Sequence, residues 1–276
     1  MKTDQDYDDI QTLFPEEVKT FLKEHQEGTY TLLDVRQPGE YEQSHMAGAK
    51  LIPLPQLPDL HTALDVSKPI IVYCMVGGRS RMAAQLLMGL GHRNVFHMQG
   101  GIQAWEEPTA SGPREFHLKF VRGDESAEEI IRKACLMEDG LKKFHEAVKA
   151  KTDDPDMATL LTSLIKAEEN HKRTLMALAD AIIPDTVPDE ANLMEGGIDM
   201  DEFLKQNEPF LKDVPGYLDL AMMIETQALD LYLRMAEACT NEQAKQILFR
   251  IGNEEKIHME MLGRYLDGIY PSKGEG

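Results

Sequence analysis

Cysteine is scarce in this chain. Its 276 residues include three, Cys74, Cys135 and Cys239, none close in sequence to another. That spacing excludes a disulfide scaffold, a cysteine-rich zinc site and a rubredoxin-type iron centre, all of which need paired thiols. Basic charge is short too: 29 Lys and Arg stand against 48 Asp and Glu, a formal charge of −19. Nucleic acid and anionic membranes both require a cationic face, so neither is expected as a partner. No apolar run approaches the length that spans a bilayer. The opening residues MKTDQDYDDI are acidic and lack an apolar core, so no signal peptide is expected and a reducing cytoplasm is the implied location. What is present is 42% hydrophobic and 28% charged residues, enough apolar material for two ordinary domains.

Two grammars divide the chain. Up to about residue 112, brief runs rich in Val, Ile and Leu (31–35, 50–54, 70–74 and 95–99) alternate with amphipathic stretches such as FPEEVKTFLKEHQ and SRMAAQLLMGLG. Near-continuous apolar strands separated by helices predict an α/β parallel sheet with helices on both faces. The segment EEPTASGPREF (106–116), with two prolines, a glycine and small polar residues, reads as the linker, and the boundary between domains is set at 113–125. From 126 to 276 the pattern predicts an all-α domain with helices at about 126–152, 157–183, 215–240 and 242–270. Between the second and third lies a proline-bearing crossover at 184–214, too long for a tight hairpin. Both halves are acidic, at −6 for residues 1–112 and −13 for the rest.

Cys74 ends the most apolar strand and opens the run CMVGGRS, which leads into a helix. Beyond the carboxyl end of a parallel strand, a cysteine meets converging backbone N–H groups and the positive end of a helix dipole. Both favour thiolate, the nucleophilic form. Gly77 and Gly78 let the backbone wrap into an anion-binding nest, with Arg79 close by. The alternative is a buried strand-end cysteine that only packs.

The blocks DVRQPGEYEQSHMAGAKLIPL (34–54), YCMVGGRSRMAAQLL (73–87) and GHRNVFHMQGGIQAW (91–105) resemble the signature blocks of a single-domain rhodanese, in order and spacing, over roughly residues 12–107. The resemblance implies that Cys74 carries a persulfide, that Met75, Val76, Gly77, Gly78 and Arg79 form the cradle for it, and that Ser80 starts the following helix. The loop from Cys74 through Arg79 has six residues; the related phosphatases have one more, so phosphatase chemistry is disfavoured. Ser44 stands where the family usually has glycine. Asp34 and Arg36 read as structural partners at a strand end, Trp105 as a packing residue, and His45 and His97 as having no base-like partner pattern.

In the second half the strongest signal is a repeat at an offset of 87 residues. Ile131, Ala134, Glu138, Leu141, His145 and Val148 recur as Leu218, Ala221, Glu225, Ala228, Tyr232 and Met235. Leu161, Leu164, Glu168, His171, Leu175, Leu178 and Ile182 recur as Leu248, Ile251, Glu255, His258, Leu262, Tyr265 and Ile269. Steps of three and four mark the inward seam of packed helices. Four glutamates and two histidines therefore lie in the line of the core, where unpaired carboxylates cost several kcal/mol each. No Lys or Arg occupies these seam positions to neutralise them.

The pattern of one Glu from each of two helices and Glu-x-x-His from two others is that of ferritin-like carboxylate proteins. Residues 126–270 resemble the rubrerythrin branch, through MEDGLKKFHEAV, KAEENHKRTL, MEGGIDMDEFL and GNEEKIHMEML. By that resemblance the second domain is a ferritin-like four-helix bundle in which Glu138, Glu168, His171, Glu225, Glu255 and His258 bind two metals. Iron is expected, with manganese or a mixed pair as alternatives, and no flavin, nicotinamide or rubredoxin-type centre. His145 and Tyr232 lie two turns beyond the seam glutamates and read either as hydrogen-bonding neighbours of the ligands or as core packing. Cys135, one turn before Glu138, reads as a small buried hydrophobe. Ala228 stands where rubrerythrins proper carry an extra glutamate.

Together these readings predict a two-domain enzyme. One half is a sulfurtransferase taking sulfur from thiosulfate or a persulfide and passing it to a thiol or cyanide. The other is a diiron domain reducing peroxide or oxygen with electrons from an external donor, so that sulfur handling is linked to oxidative stress. The competing expectation is a metal-storage or redox-sensing protein whose first half carries sulfur or docks partners. Bundles of this type often pair, which leaves a homodimer open.

Overall fold

The computed structural model describes residues 10–113, 124–178, 193–194 and 198–269. Two compact units, Met1–Phe116 and His117–Gly276, divide the chain. The first contains β1 (Gln11–Leu13), α1 (Pro15–Glu24), β2 (Thr31–Asp34), α2 (Pro38–Gln43), β3 (Lys50–Leu51), α3 (Leu57–Leu60), β4 (Ile70–Tyr73), α4 (Gly78–Gly89) and β5 (Val95–Met98). Every strand pairing is parallel, in the order β1-β5-β4-β2-β3.

The alternation of side chains along β4 builds two apolar layers. Ile70, Val72 and Cys74 face a cluster completed by Leu33, Ala83, Ala84 and Leu87. Ile71 and Tyr73 face the opposite cluster, with Val18, Leu32, Tyr41 and Met98. Both faces of a central strand are thus covered, as its unbroken apolar sequence requires. Two details differ from the sequence reading. The run 50–54 forms only a two-residue strand, because Pro53 has no N–H to give to a ladder. The edge strand β1 was not expected, since Gln11 and Thr12 are polar and exposed and carry no strand signal.

Beneath the carboxyl end of the sheet lies a buried ion pair. The Arg36 guanidinium donates to both Asp34 carboxylate oxygens at 2.7–3.0 Å and to the Ser44 carbonyl at 2.6 Å. The Arg36 backbone N–H adds a further bond to Asp34 at 2.9 Å. Both residues are fully buried. The pair fixes the β2–α2 turn, which supplies Glu40 to the site described below. Trp105 is partly buried against the second apolar layer.

The second unit contains α5 (Ala127–Lys149), α6 (Pro155–Leu178), the short strands β6 (Leu193–Met194) and β7 (Ile198–Asp199), α7 (Met200–Gln206), α8 (Val214–Ala238) and α9 (Glu242–Ile269). A capping box starts α5: the Ser126 hydroxyl accepts from the Glu129 N–H, and the Glu129 carboxylate accepts from the Ser126 N–H. The α5–α6 and α8–α9 pairs pack closely, and α5 also packs on α9. The segment expected as a crossover holds the antiparallel β6–β7 pair and α7; its residues 184–192 and 195–197 lie outside the described residues. So do Ile182 and the Leu178 and Ile269 side chains. Tyr265, expected to face inward, is 38% exposed, and the adjacent Leu266 packs against the apolar cluster instead. Among the described residues no helix is long and apolar enough to cross a membrane.

Removing one partner of a fully buried ion pair leaves an uncompensated charge, which costs about 3–5 kcal/mol. Asp34→Ala should therefore lower the urea midpoint of the first unit by the corresponding amount. Trp105, the only tryptophan in the chain, reports that transition by fluorescence. An unchanged midpoint would show that the pair carries no such weight.

Candidate functional sites

The first site grows from the junction of β4 and α4. Gly77 occupies the left-handed region at φ 106° and caps α4, turning the chain back around the Cys74 side chain. Its N–H donates to Cys74 Sγ at 3.1 Å. The Ser80 hydroxyl lies 3.8 Å from Cys74 Sγ and 2.9 Å from the Gly77 carbonyl, and can donate to either the thiolate or that carbonyl. Burial by itself would raise the Cys74 pKa. The Ser80, Gly77 and Val76 backbone N–H groups and the Ser80 hydroxyl outweigh it, and the thiol sits below its ordinary value.

The loop residues divide by orientation. Gly77 and Ser80 are buried with the sulfur, Met75 and Arg79 are intermediate, and Val76 and Gly78 form an exposed rim. The helix begins at Gly78, two residues before the expected Ser80. Arg79 does not turn its guanidinium to the sulfur. It makes a two-pronged pair with Glu40 at 2.7 Å on each arm, which holds the Glu40 carboxyl down at about 2.

A second support was missed by sequence reasoning. Gly101, at φ 60°, lies so close to the cysteine loop that a Cβ would fall 2.3 Å from the Cys74 carbonyl oxygen and 2.5 Å from that of Met75. The Ile102 and Gln103 N–H groups donate to those same two carbonyls at 2.8 and 3.1 Å. The turn after β5 thus clamps the loop from behind, and the Gly-Gly pair at 100–101 was its visible signal. His97 shares a hydrogen bond with the Thr12 hydroxyl at 3.1 Å, and His45 Nδ1 lies 2.8 Å from the Tyr41 carbonyl oxygen.

The second site lies midway along the long helices. On α5, Ile130–Cys135 belong to one apolar cluster and Leu141–Val148 to another, and Glu138 sits in the interval. Glu168 and His171 on α6, Glu225 on α8, and Glu255 and His258 on α9 occupy the same interval on their helices. The four carboxylates and His258 are buried, and His171 is nearly so. Donor atoms of Glu225, Glu255 and His258 lie within 4.8 Å of one another, as do those of Glu138, His171 and Glu255, and those of Glu168, His171 and His258. His171 and His258 stack at 4.2 Å between ring centroids.

The contacts between His258 and the carboxylates around it are long. His258 Nδ1 stands 3.4 Å from Glu255, and 3.6 Å from both Glu168 and Glu225. Both carboxylate oxygens of Glu168 and of Glu225 lack a hydrogen-bond donor among the described residues. Burial, with the Glu225 and Glu138 charges beside it, pushes the Glu168 carboxyl well up. Burial would lower His258, but the carboxylates Glu225, Glu168 and Glu138 prevail and raise it to about 9. Oxygen and imidazole donors, buried and converging in this way, could hold metal ions.

His145 and Tyr232 both reach this layer. Tyr232 donates its hydroxyl to Glu138 Oε1 at 3.3 Å. His145 has Nδ1 2.8 Å from the Tyr217 hydroxyl and Nε2 3.8 Å from Glu168. Tyr217 and Glu254, whose carboxylate lies 3.3 Å from His171 Nε2, carried no signal in the repeat. Cys135 packs in an apolar cluster, and burial pushes its thiol up to about 11, an inert state.

Alkylation measures the Cys74 thiolate directly. The iodoacetamide rate should rise through a pKa below that of an ordinary thiol, and Ser80→Ala should move the inflection to higher pH by about half to one unit. Identical profiles for the two proteins would remove the hydroxyl from the account.

Residues 16–108 match the family described as Rhodanese-like domain. YqhL, an uncharacterized protein of Bacillus subtilis (strain 168), is 35% identical over 96 residues, which cover 35% of this chain and 72% of that one. The thiosulfate sulfurtransferase GlpE of Stutzerimonas stutzeri (strain A1501) is 32% identical over 74 residues, covering 27% of this chain and 68% of that one. The crystal structure of a rhodanese-related protein from Thermoplasma volcanium is 30% identical, with a TM-score of 0.33, over 36% of this chain and 97% of that one. Through residues 16–108, with Cys74 at the mouth of its parallel sheet, this chain belongs to the rhodanese-like family.

Proposed function

We propose that the chain is a sulfurtransferase that carries a persulfide on Cys74, joined to a ferritin-like bundle of the rubrerythrin type that holds two iron ions. The observation that supports the first half is the Gly77 N–H on Cys74 Sγ, within a loop whose amides favour an anion. The GlpE relative, named as a thiosulfate sulfurtransferase, suggests thiosulfate as donor.

In this reading the Cys74 thiolate attacks the outer sulfur of thiosulfate. A new S–S bond forms to Cys74 as the donor's S–S bond breaks, and sulfite leaves with the electron pair. A persulfide donor reacts in the same way and releases a thiolate. A thiol or cyanide then attacks the outer sulfur of the Cys74 persulfide and regenerates the thiolate. The Val76, Gly77 and Ser80 amides stabilise the anion in both states, while the exposed rim at Val76 and Gly78 gives donor and acceptor access. Arg79, held by Glu40, places positive charge beside the loop without occupying it.

In the second half, the orphaned oxygens of Glu168 and Glu225 support the metal reading. Glu138, Glu168, His171, Glu225, Glu255 and His258 would hold the ions. Two bound irons supply one-electron chemistry towards peroxide or oxygen. The apolar clusters on either side of the layer keep bulk water out, and the Tyr232 hydroxyl holds Glu138 in position. Electrons come from an external donor or from thiol and persulfide, which ties sulfur handling to oxidative stress.

Thiosulfate-to-cyanide transfer by the full chain should fall to background in Cys74→Ser and persist in Glu168→Ala. Iron should be found at two per chain after anaerobic loading and fall below one in Glu168→Ala. With a reductant present, peroxide consumption should exceed the iron content. Consumption that stops at the iron content would favour the storage or sensing reading, and transfer that survives Cys74→Ser would overturn the persulfide.

A further inference from the structure

His145 is wholly buried, and its two ring nitrogens face different surroundings. Nδ1 lies 2.8 Å from the Tyr217 hydroxyl, a hydrogen bond that fixes the ring. Nε2 has no hydrogen-bond partner among the described residues, and its distance of 3.8 Å to Glu168 Oε1 exceeds any hydrogen bond. Donor atoms of His145, Glu168 and Glu225 lie within 4.8 Å of one another. An imidazole tethered at one nitrogen and aimed by the other at two orphaned carboxylates has the arrangement of a metal ligand with its outer partner.

The repeat sharpens the point. Offset by 87 residues, His145 corresponds to Tyr232, Tyr217 to Ile130, and Glu254 to Ala167. The two halves therefore agree in the six seam ligands and differ in what surrounds them. Beside Glu138 stand His171, backed by the Glu254 carboxylate, and the Tyr232 phenol. Beside Glu225 stand His258 and a second imidazole, His145, backed by Tyr217.

We infer that His145 is a seventh ligand, which gives the metal position at Glu225 one more imidazole than the position at Glu138 and makes the two ions unequal. The inference rests on the metal reading of the helical unit. Nitrogen donors favour the later divalent ions, so the imidazole-rich position is the tighter one for cobalt.

Anaerobic titration of the metal-free full chain with Co(II), followed by calorimetry and visible absorption, tests this. The wild-type chain should bind two equivalents in two resolved steps with distinct spectra. His145→Gln should weaken the tighter step by at least tenfold and change its spectrum, leaving the other step in place. Tyr217→Phe keeps the imidazole but removes its anchor, and should weaken the same step by about tenfold. Far-UV circular dichroism shows whether each variant keeps its helices. Two unchanged steps and spectra in both variants would overturn the seventh ligand while leaving the metal reading intact, as would loss of both steps together in a folded Tyr217→Phe protein. Failure of the wild-type chain to bind cobalt at all would overturn both.

Discussion

A negative charge inside a protein needs a positive counterpart within reach, and both units of this chain are organised by that requirement. In water a carboxylate or thiolate is stabilised by solvent; in a packed interior it must meet hydrogen-bond donors, a cationic side chain or a metal ion, or else take up a proton. The first unit answers with donors. Backbone N–H groups at Val76, Gly77 and Ser80 converge on one sulfur and overcome the effect of its burial. In the second unit four carboxylates and three imidazoles converge, and the oxygens of Glu168 and Glu225 lack a hydrogen-bond donor among the described residues.

The two scaffolds suit these different solutions. A parallel sheet delivers Cys74 to the start of a helix, where amides are free to point at an anion. The loop is then held from three sides: by the Arg79–Glu40 pair, by the Gly101 turn behind it, and by the Asp34–Arg36 pair under the α2 turn. The long helices instead bring side chains from distant parts of the chain to one level between two apolar clusters. Ligands on rigid helices keep their spacing, which a site built on loops would not. The apolar clusters also keep solvent from the carboxylates, so each must find a partner within the layer or take up a proton.

Much of this was legible in the sequence because periodicity reports burial. The β4 run 70–74 was visible as an apolar strand meeting a Gly-Gly turn, although the helix opens at Gly78, two residues before the Ser80 expected. The steps of three and four placed Glu138, Glu168, His171, Glu225, Glu255 and His258 in one seam, and the structure has them side by side. What periodicity misses is contact between segments remote in sequence. The grip of Gly101 on Cys74 depends on the closeness of two loops, and the partner of Arg79 depends on where α2 ends up. Tyr217 and Glu254 have no counterpart across the repeat, so only the folded chain shows them reaching His145 and His171. Tyr265 fails in the other direction: it keeps the seam register, but near the end of α9 the next residue, Leu266, takes the inward place.

If the helical unit is built around metal ions, its stability must depend on them, because an ion that binds only the folded form stabilises it by mass action, by about 2.7 kcal/mol at a hundredfold excess over the dissociation constant. The most direct measurement is anaerobic urea unfolding of the metal-free chain with and without ferrous iron, read by two probes. Far-UV circular dichroism follows the helices, and Trp105 fluorescence follows the first unit. Iron should shift the helical transition to higher urea and leave the Trp105 transition where it was. Coincident curves with and without iron would contradict the account.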